Sequence, residues 1–274
     1  MSIFGMGKET YLYLTGLEVT QEIPLASNKV LLPVKLKFPL EKVLKLLKDD
    51  VDFAIAILNS KSILSQLKII ADGSESLAKT TWNAQWDAFL LSAIFNCQSI
   101  ANIQCTCPIE EITDDTYIQI TNYHLRGVLT PPYMITQENS NWLSQYFKNA
   151  LSLLSYESFE TAIHSMATYK WHSVPRIQLA ILWAGIESLF NISSELVFRI
   201  SLYAANFLTD RKDEARSIFK EVNDLYKARS SAVHGGKIKG DAIVLVEKSA
   251  GLLNKLILKC IEINGLPVVQ ELVL

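Results

Sequence analysis

From residue 140 to residue 264 apolar side chains return every three or four positions. That pattern restricts almost half of the chain to packed amphipathic helices. Trp142, Tyr146, Phe147, Ala150, Leu151 and Leu154 open the series, and Phe159, Ile163 and Met166 put an inward stripe on a second helix over 158–169. Pro175 suits the first turn of a third helix carrying Ile177, Leu179, Ala180, Leu182, Trp183, Ile186, Leu189 and Phe190. Ser193-Ser194-Glu195 has the character of an N-cap before a helix over 196–207. A helix with a charged surface follows over 211–233 and stops at Gly235-Gly236, where a left-handed residue is expected. The last helix spans 241–264 and is closed by Gly265 and Pro267. Trp142, Trp171 and Trp183 fall at core spacing.

The first half has a different texture. Residues 11–19 and 30–38 read as strands, with Pro33 marking an edge position or a bulge. Pro39-Leu40-Glu41 opens a short helix with Leu40, Val43, Leu44 and Leu47 on one face. The apolar runs 51–58 and 63–70 fit either element type, 82–95 fits a helix or a strand pair, and 116–128 reads as strand. Thr130-Pro131-Pro132 is the clearest break. The expected fold class is therefore α+β: a mixed strand and helix domain over 1–135, then an all-α bundle over 136–274.

Composition narrows the function classes. At 49% hydrophobic and 20% charged residues, a chain of 274 residues buries a sizeable core and is not intrinsically disordered. The mean hydropathy of +0.19 is high, so the apolar excess goes into a core, an oligomer interface or both. The stretch 177–190 contains Gln178 and Glu187, and 242–263 is broken by Glu247, Lys248, Lys255, Lys259 and Glu262. Neither reaches the roughly 18–20 uninterrupted apolar residues of a membrane span. The opening residues MSIFGMGKET lack a basic segment followed by an apolar one, so a cytoplasmic protein with reduced thiols is expected.

Of the four cysteines, Cys105 and Cys107 form a C-x-C pair, with Cys97 upstream and His124 downstream. That spacing is tighter than the usual zinc turn and no second pair exists, so the thiols read as buried or incidental and no metal is expected. There is no phosphate-binding G-x-x-x-x-G-K-[ST], no dinucleotide fingerprint, no G-x-S-x-G elbow and no H-E-x-x-H. His164 and His172, like His124, stand outside any partner pattern.

A formal charge of −2 excludes a protein that coats polyanions by bulk electrostatics. It leaves room for one small basic pocket. Between Asp224 and Asp241 there is no acidic residue, while Lys227, Arg229, Lys237 and Lys239 surround His234. Such a pocket suits a single phosphate: Arg229 offers a planar fork of donors, and His234 titrates near neutrality. Five residues along a helix turn a side chain about 140° beyond a full turn, so Arg229 and His234 do not share one face of a regular helix. They converge if the last turn unwinds, or if two copies pair about a two-fold axis. The bland alternative is a salt bridge for Arg229 and a helix-end hydrogen bond for His234.

The string Leu225-Tyr226-Lys227-Ala228-Arg229-Ser230-Ser231-Ala232-Val233-His234-Gly235 resembles the HEPN superfamily signature, Arg-x₄₋₆-His. It is similar in particular to the Apea-like branch and its L-Y-x-x-R-S-x-x-V-H-G pattern. The upstream helix over 181–190 and the segment 198–208 match in character, so the resemblance covers about residues 140–264. It implies a helical bundle that dimerises through the motif-bearing helices. It also implies a metal-independent, cofactor-free endoribonuclease, or a non-catalytic module that binds nucleotides or a protein. Family members act in phage defence and in toxin–antitoxin systems, so RNA or a nucleotide, a second copy, and an antitoxin or regulatory protein are the implied partners. His234 would act as general acid/base on the RNA 2′-OH and Arg229 would neutralise the phosphate in the transition state. Ser230 stands where nucleolytic members often carry Asn, Asp or His. Glu187 would orient Arg229 or pair with Arg199, Tyr226 would pack or stack on a base, and Lys227, Lys237 and Lys239 would hold the substrate.

Overall fold

The computed structural model describes residues 3–71, 76–123, 131–192, 196–233, 235–236 and 240–272. The chain is α+β, an antiparallel sheet with helices followed by a mostly helical part. It divides into two compact units, Met1–Ser92 with Cys97–Lys148, and Ala93–Asn96 with Asn149–Leu274. The first unit runs past Pro131-Pro132 because the chain next forms a strand on it. Strand β8 (Tyr133–Met134) pairs in parallel with β2 (Leu17–Glu18), Leu17 opposite Tyr133.

The first unit holds a six-stranded sheet of β1 (Glu9–Thr15), β3 (Ile23–Ala26), β4 (Lys29–Pro33), β5 (Ile63–Ile70), β6 (Ile100–Cys105) and β7 (Ile118–Ile120). Their order is β3-β4-β5-β1-β6-β7, antiparallel throughout. Central β1 is buried on both faces, so its middle, Tyr11-Leu12-Tyr13-Leu14, is continuously apolar rather than alternating. Its odd positions, Tyr11 and Tyr13, share one face with Ile103, Cys105, Ile118 and Ile120. Helices α1 (Leu40–Leu46) and α2 (Asp50–Asn59) bring Val43, Ile55 and Ala56 to that cluster. Pro33 closes β4 opposite Ser65, beyond the last β3 partner at Leu31, where a missing N–H costs the ladder least.

Residues 51–58 form α2, capped by Asp49, whose carboxylate accepts from Val51 N at 2.8 Å. The run 63–70 is β5, and 82–95 falls in helices, α3 (Leu77–Asn83) and α4 (Gln85–Phe95). The expected strand over 116–128 is reduced to β7, and residues 124–128, with His124, lie outside the described residues. All four cysteines are free thiols.

The helices after β8 are α5 (Gln137–Leu153), which begins in the first unit and ends in the second, α6 (Glu157–Thr168), α7 (Pro175–Phe190), α8 (Leu196–Leu208), α9 (Lys212–Val233) and α10 (Ala242–Ile263). On α5 the buried stripe is Leu143, Phe147, Ala150 and Leu153. It is turned one residue from the expected register, so Trp142 is half-buried against Tyr146 rather than core. Trp171 ends a short 3₁₀ turn and is also only half-buried, whereas Trp183 is fully buried and donates its indole N–H to Ser249 Oγ at 3.2 Å. Helix α7 packs against α6, α9 and α10. Gly185 makes this close approach possible: a Cβ there would meet Ser165 Cβ at 2.8 Å and Leu253 Cδ2 at 3.0 Å. Asp241 caps α10 through Ile243 N, and Asn264, in the left-handed region at φ 50°, ends it. The N-cap expected at Ser193-Ser194-Glu195 lies outside the described residues.

Candidate active site

Helix α9 buries Val222, Leu225, Tyr226 and Ala232. Spacings of three and four make Arg229 the next member of that stripe, so the helix carries its guanidinium inward. A charge in that position needs a counter-charge. Glu187 on α7 supplies it: Arg229 Nη2 lies 3.0 Å from Glu187 Oε1 and donates to Oε2 at 3.3 Å. Both side chains are largely covered, 19% and 25% exposed, so solvent screens the pair only in part.

Tyr226 lies one turn before Arg229, and the guanidinium carbon stands 5.4 Å from its ring centroid. The ring meets Trp183 edge to face at 5.1 Å. A chain of contacts thus runs from Ser249 through Trp183 and Tyr226 to Arg229. Burial pushes the Glu187 carboxyl above the usual glutamate range, with the Arg229 charge pulling the other way. Burial likewise raises the Tyr226 hydroxyl, and the Glu187 charge adds to it. Among the described residues Arg229 Nε has no hydrogen-bond partner.

Arg176, in the first turn of α7, is the group that sequence reasoning missed. Its Nη1 donates to Ala232 O at 2.9 Å and to Ser231 O at 3.5 Å, and its Nη2 to Gly236 O at 2.7 Å. One guanidinium therefore satisfies carbonyls that the end of α9 leaves open. Gly235, at φ 76°, makes the turn that brings Gly236 back to it. The available signal was a cation in a helical first turn, a position the helix dipole disfavours unless another acceptor holds it.

Arg229, Glu187 and Tyr226 are brought together, and Ser230 is half-buried beside them in sequence. Glu187 takes Arg229 as its ion-pair partner. Lys227 is set apart. It is exposed, lies 3.8 Å from Asp224, and lines a groove of 730 Å³ with Lys220, Leu245 and Lys248. Two residues of helix turn it about 200° away from Arg229. His234, Lys237 and Lys239 lie outside the described residues. Among the described residues no three His, Cys, Asp or Glu side chains gather as a metal-holding group, and no helix is long and apolar enough to cross a membrane. No family model matches this chain, and comparison with curated proteins and with solved structures found no match.

Proposed function

We propose that the helical part is a HEPN-type, metal-independent endoribonuclease acting as a homodimer, with Arg229 and His234 as its catalytic residues. The observation that carries this reading is the Arg229 guanidinium. Glu187 and Tyr226 fix it on the inward stripe of α9, and its Nε lacks an acceptor among the described residues. That Nε is itself buried, so a phosphate oxygen, an acceptor of the right charge for a guanidinium, would meet the part of the side chain that remains exposed. In the proposed reaction the substrate 2′-OH loses its proton to His234 and attacks the adjacent phosphorus. His234 returns that proton to the departing 5′-oxygen, and the products are a cyclic phosphate and a 5′-OH end. Arg229 stabilises the charge that builds on the non-bridging oxygens. Val174 and Ile177 flank Arg176, Val233 follows Ala232, and all three are exposed, which supports a second copy at this end of α9. A cytoplasmic role in phage defence or a toxin–antitoxin system belongs to the same proposal.

The test is cleavage of single-stranded RNA by the full chain in EDTA. Cyclic-phosphate ends are expected, with loss of cleavage in His234→Ala and Arg229→Ala proteins that retain their helical circular dichroism. Undiminished cleavage by the His234→Ala protein would overturn the assignment. The Glu187 contact favours a second reading, because a guanidinium already matched by a carboxylate suits ligand binding without turnover. In that case calorimetry shows nucleotide binding that Arg229→Ala abolishes, and RNA stays intact.

A further inference from the structure

The C-x-C pair of the first unit has no part in the ribonuclease reading, and its geometry supports a separate chemistry. Cys105 is the last residue of β6, and Cys107 lies two positions on, at the start of the connection to β7. Alternation along an extended chain puts positions i and i+2 on one face. The two sulfurs accordingly stand 3.8 Å apart. Cys105 is fully buried in the cluster of Tyr11, Tyr13, Ile103 and Ile118, whereas Cys107 is half-exposed at its edge.

We infer that Cys105 and Cys107 form a reversible intramolecular disulfide when the protein meets a peroxide-class oxidant. Two residues of chain span at most about 7 Å between Cα atoms, at the upper edge of what a disulfide bridges. The sulfurs need to close from 3.8 Å to about 2.05 Å, a change that side-chain rotation at Cys107 and slight bending at Thr106 supply.

The environments of the two thiols set the order of events. Cys107 is the one that solvent reaches. Its sulfur lies 3.7 Å from Thr116 Oγ1, and its carbonyl accepts the Tyr13 hydroxyl at 2.9 Å. Burial pushes the Cys105 thiol up, so the more accessible Cys107 meets the oxidant first and Cys105 gives up its proton only as it attacks. In the first step hydrogen peroxide transfers one oxygen to the Cys107 sulfur, giving a sulfenic acid and one water. In the second the Cys105 sulfur attacks that sulfur. The S–O bond breaks, and the hydroxyl leaves with the Cys105 proton as a second water. Two thiols and one peroxide thus give one disulfide and two waters, with two electrons passing from sulfur to oxygen. Thr106 donates its backbone N–H to Tyr117 O at 3.1 Å and its side chain to the same oxygen at 3.3 Å. This double tether keeps the two sulfurs on one side while the bond forms.

The experiment treats the full chain with stoichiometric hydrogen peroxide, quenches, and measures intact mass and thiol count under denaturing conditions. The expected result is a mass lower by two hydrogens and two titratable thiols in place of four. One peptide holds the bridge, and dithiothreitol restores all four thiols. A Cys97→Ser, Cys260→Ser protein should lose the same two hydrogens and go from two titratable thiols to none. Cys107→Ser should keep its three thiols, and Cys105→Ser should stop at an oxygen adduct on Cys107. A wild-type protein that accumulates one or more oxygens without the two-hydrogen loss would overturn the proposal, as would a bridge that maps to Cys97. The outcome is independent of any RNA cleavage.

Discussion

Arg229 on α9 and Glu187 on α7 approach to 3.0 Å, and this contact joins the motif-bearing helix to the centre of the helical part. Because both side chains are mostly covered, losing one leaves the other charge short of solvent. Glu187→Gln and Arg229→Met should each destabilise the protein by about 1–2 kcal/mol, less than for a fully buried pair. The double variant should recover part of that loss, with a coupling of about 1 kcal/mol in a urea-unfolding cycle. Additive single effects would show that the contact carries no energy.

The same pair has a pH signature. Burial raises the folded Glu187 carboxyl above its ordinary 4.5, so the folded state binds the proton more tightly than the unfolded chain. Its contribution is fully present below 4.5 and fades as pH rises through the raised folded value. The stability of wild type relative to Glu187→Gln should therefore decline across that interval and level off above it. A rising difference would reverse the assignment of burial as the dominant influence.

Arg176→Ala should remove the hydrogen bonds that close the end of α9. Charge-assisted bonds of this kind contribute about 1.5–3 kcal/mol each in favourable cases, so a net loss of about 2 kcal/mol is expected. Arg176→Lys should restore less than half, because an ammonium does not reproduce the planar fork that reaches Ala232 and Gly236 together. Proteolysis near Gly235 should accelerate in step. Unchanged stability in Arg176→Ala would show that solvent replaces the guanidinium at no cost.

How much of this was legible beforehand depends on the range of the interaction. Helix starts at Pro175 and Asp241 and stops at Gly235 and Asn264 are local, and the sequence patterns place them well. Strand β6 was missed because it is buried along its whole length, so IANIQC shows no alternation to read. The α5 stripe was read one residue out because Trp142 and Tyr146 are large and apolar but pair with each other at the surface edge. At the site, Arg229 was found from its string, and Glu187 from its charge on an apolar helix. Arg176 was not found, since its acceptors are backbone carbonyls 55 to 60 residues away and carry no sequence mark.

Gly185 lies where α6, α7 and α10 converge. An alanine Cβ would sit 2.8 Å from Ser165 Cβ and 3.0 Å from Leu253 Cδ2, inside contact distance on two sides. Leu253 has a flexible end, but Ser165 Cβ is one bond from backbone and moves only with α6. Gly185→Ala should cost about 1–3 kcal/mol through this overpacking, despite the better helix propensity of alanine. Pairing it with Ser165→Gly should return most of the loss in thermal unfolding. If Gly185→Ala alone stabilises the protein, the close approach of α6 and α7 is not as described.

Lys29 on β4 and Asp87 on α4 form a second ion pair, with Nζ at 3.0 and 2.8 Å from the two carboxylate oxygens. Asp87 is wholly buried and Lys29 nearly so. Burial raises the Asp87 carboxyl to about 6 even against the pull of Lys29, so desolvation outweighs attraction. The folded state therefore holds this proton more tightly than the unfolded chain, whose value is 3.8, and stability falls as pH rises from about 4 to about 6. Asp87→Asn alone leaves a buried ammonium without its counter-charge and should cost about 3–5 kcal/mol at pH 7. Replacing both with apolar groups nearer in volume, Lys29→Met with Asp87→Val, should be neutral or stabilising at pH 7. Its advantage over wild type should grow from pH 4 to pH 6 and stay constant above that. Urea midpoints for the three proteins across that range decide the matter. A double variant as unstable as Asp87→Asn, or an advantage that shrinks with rising pH, would show that the pair holds the sheet to α4 rather than burdening it.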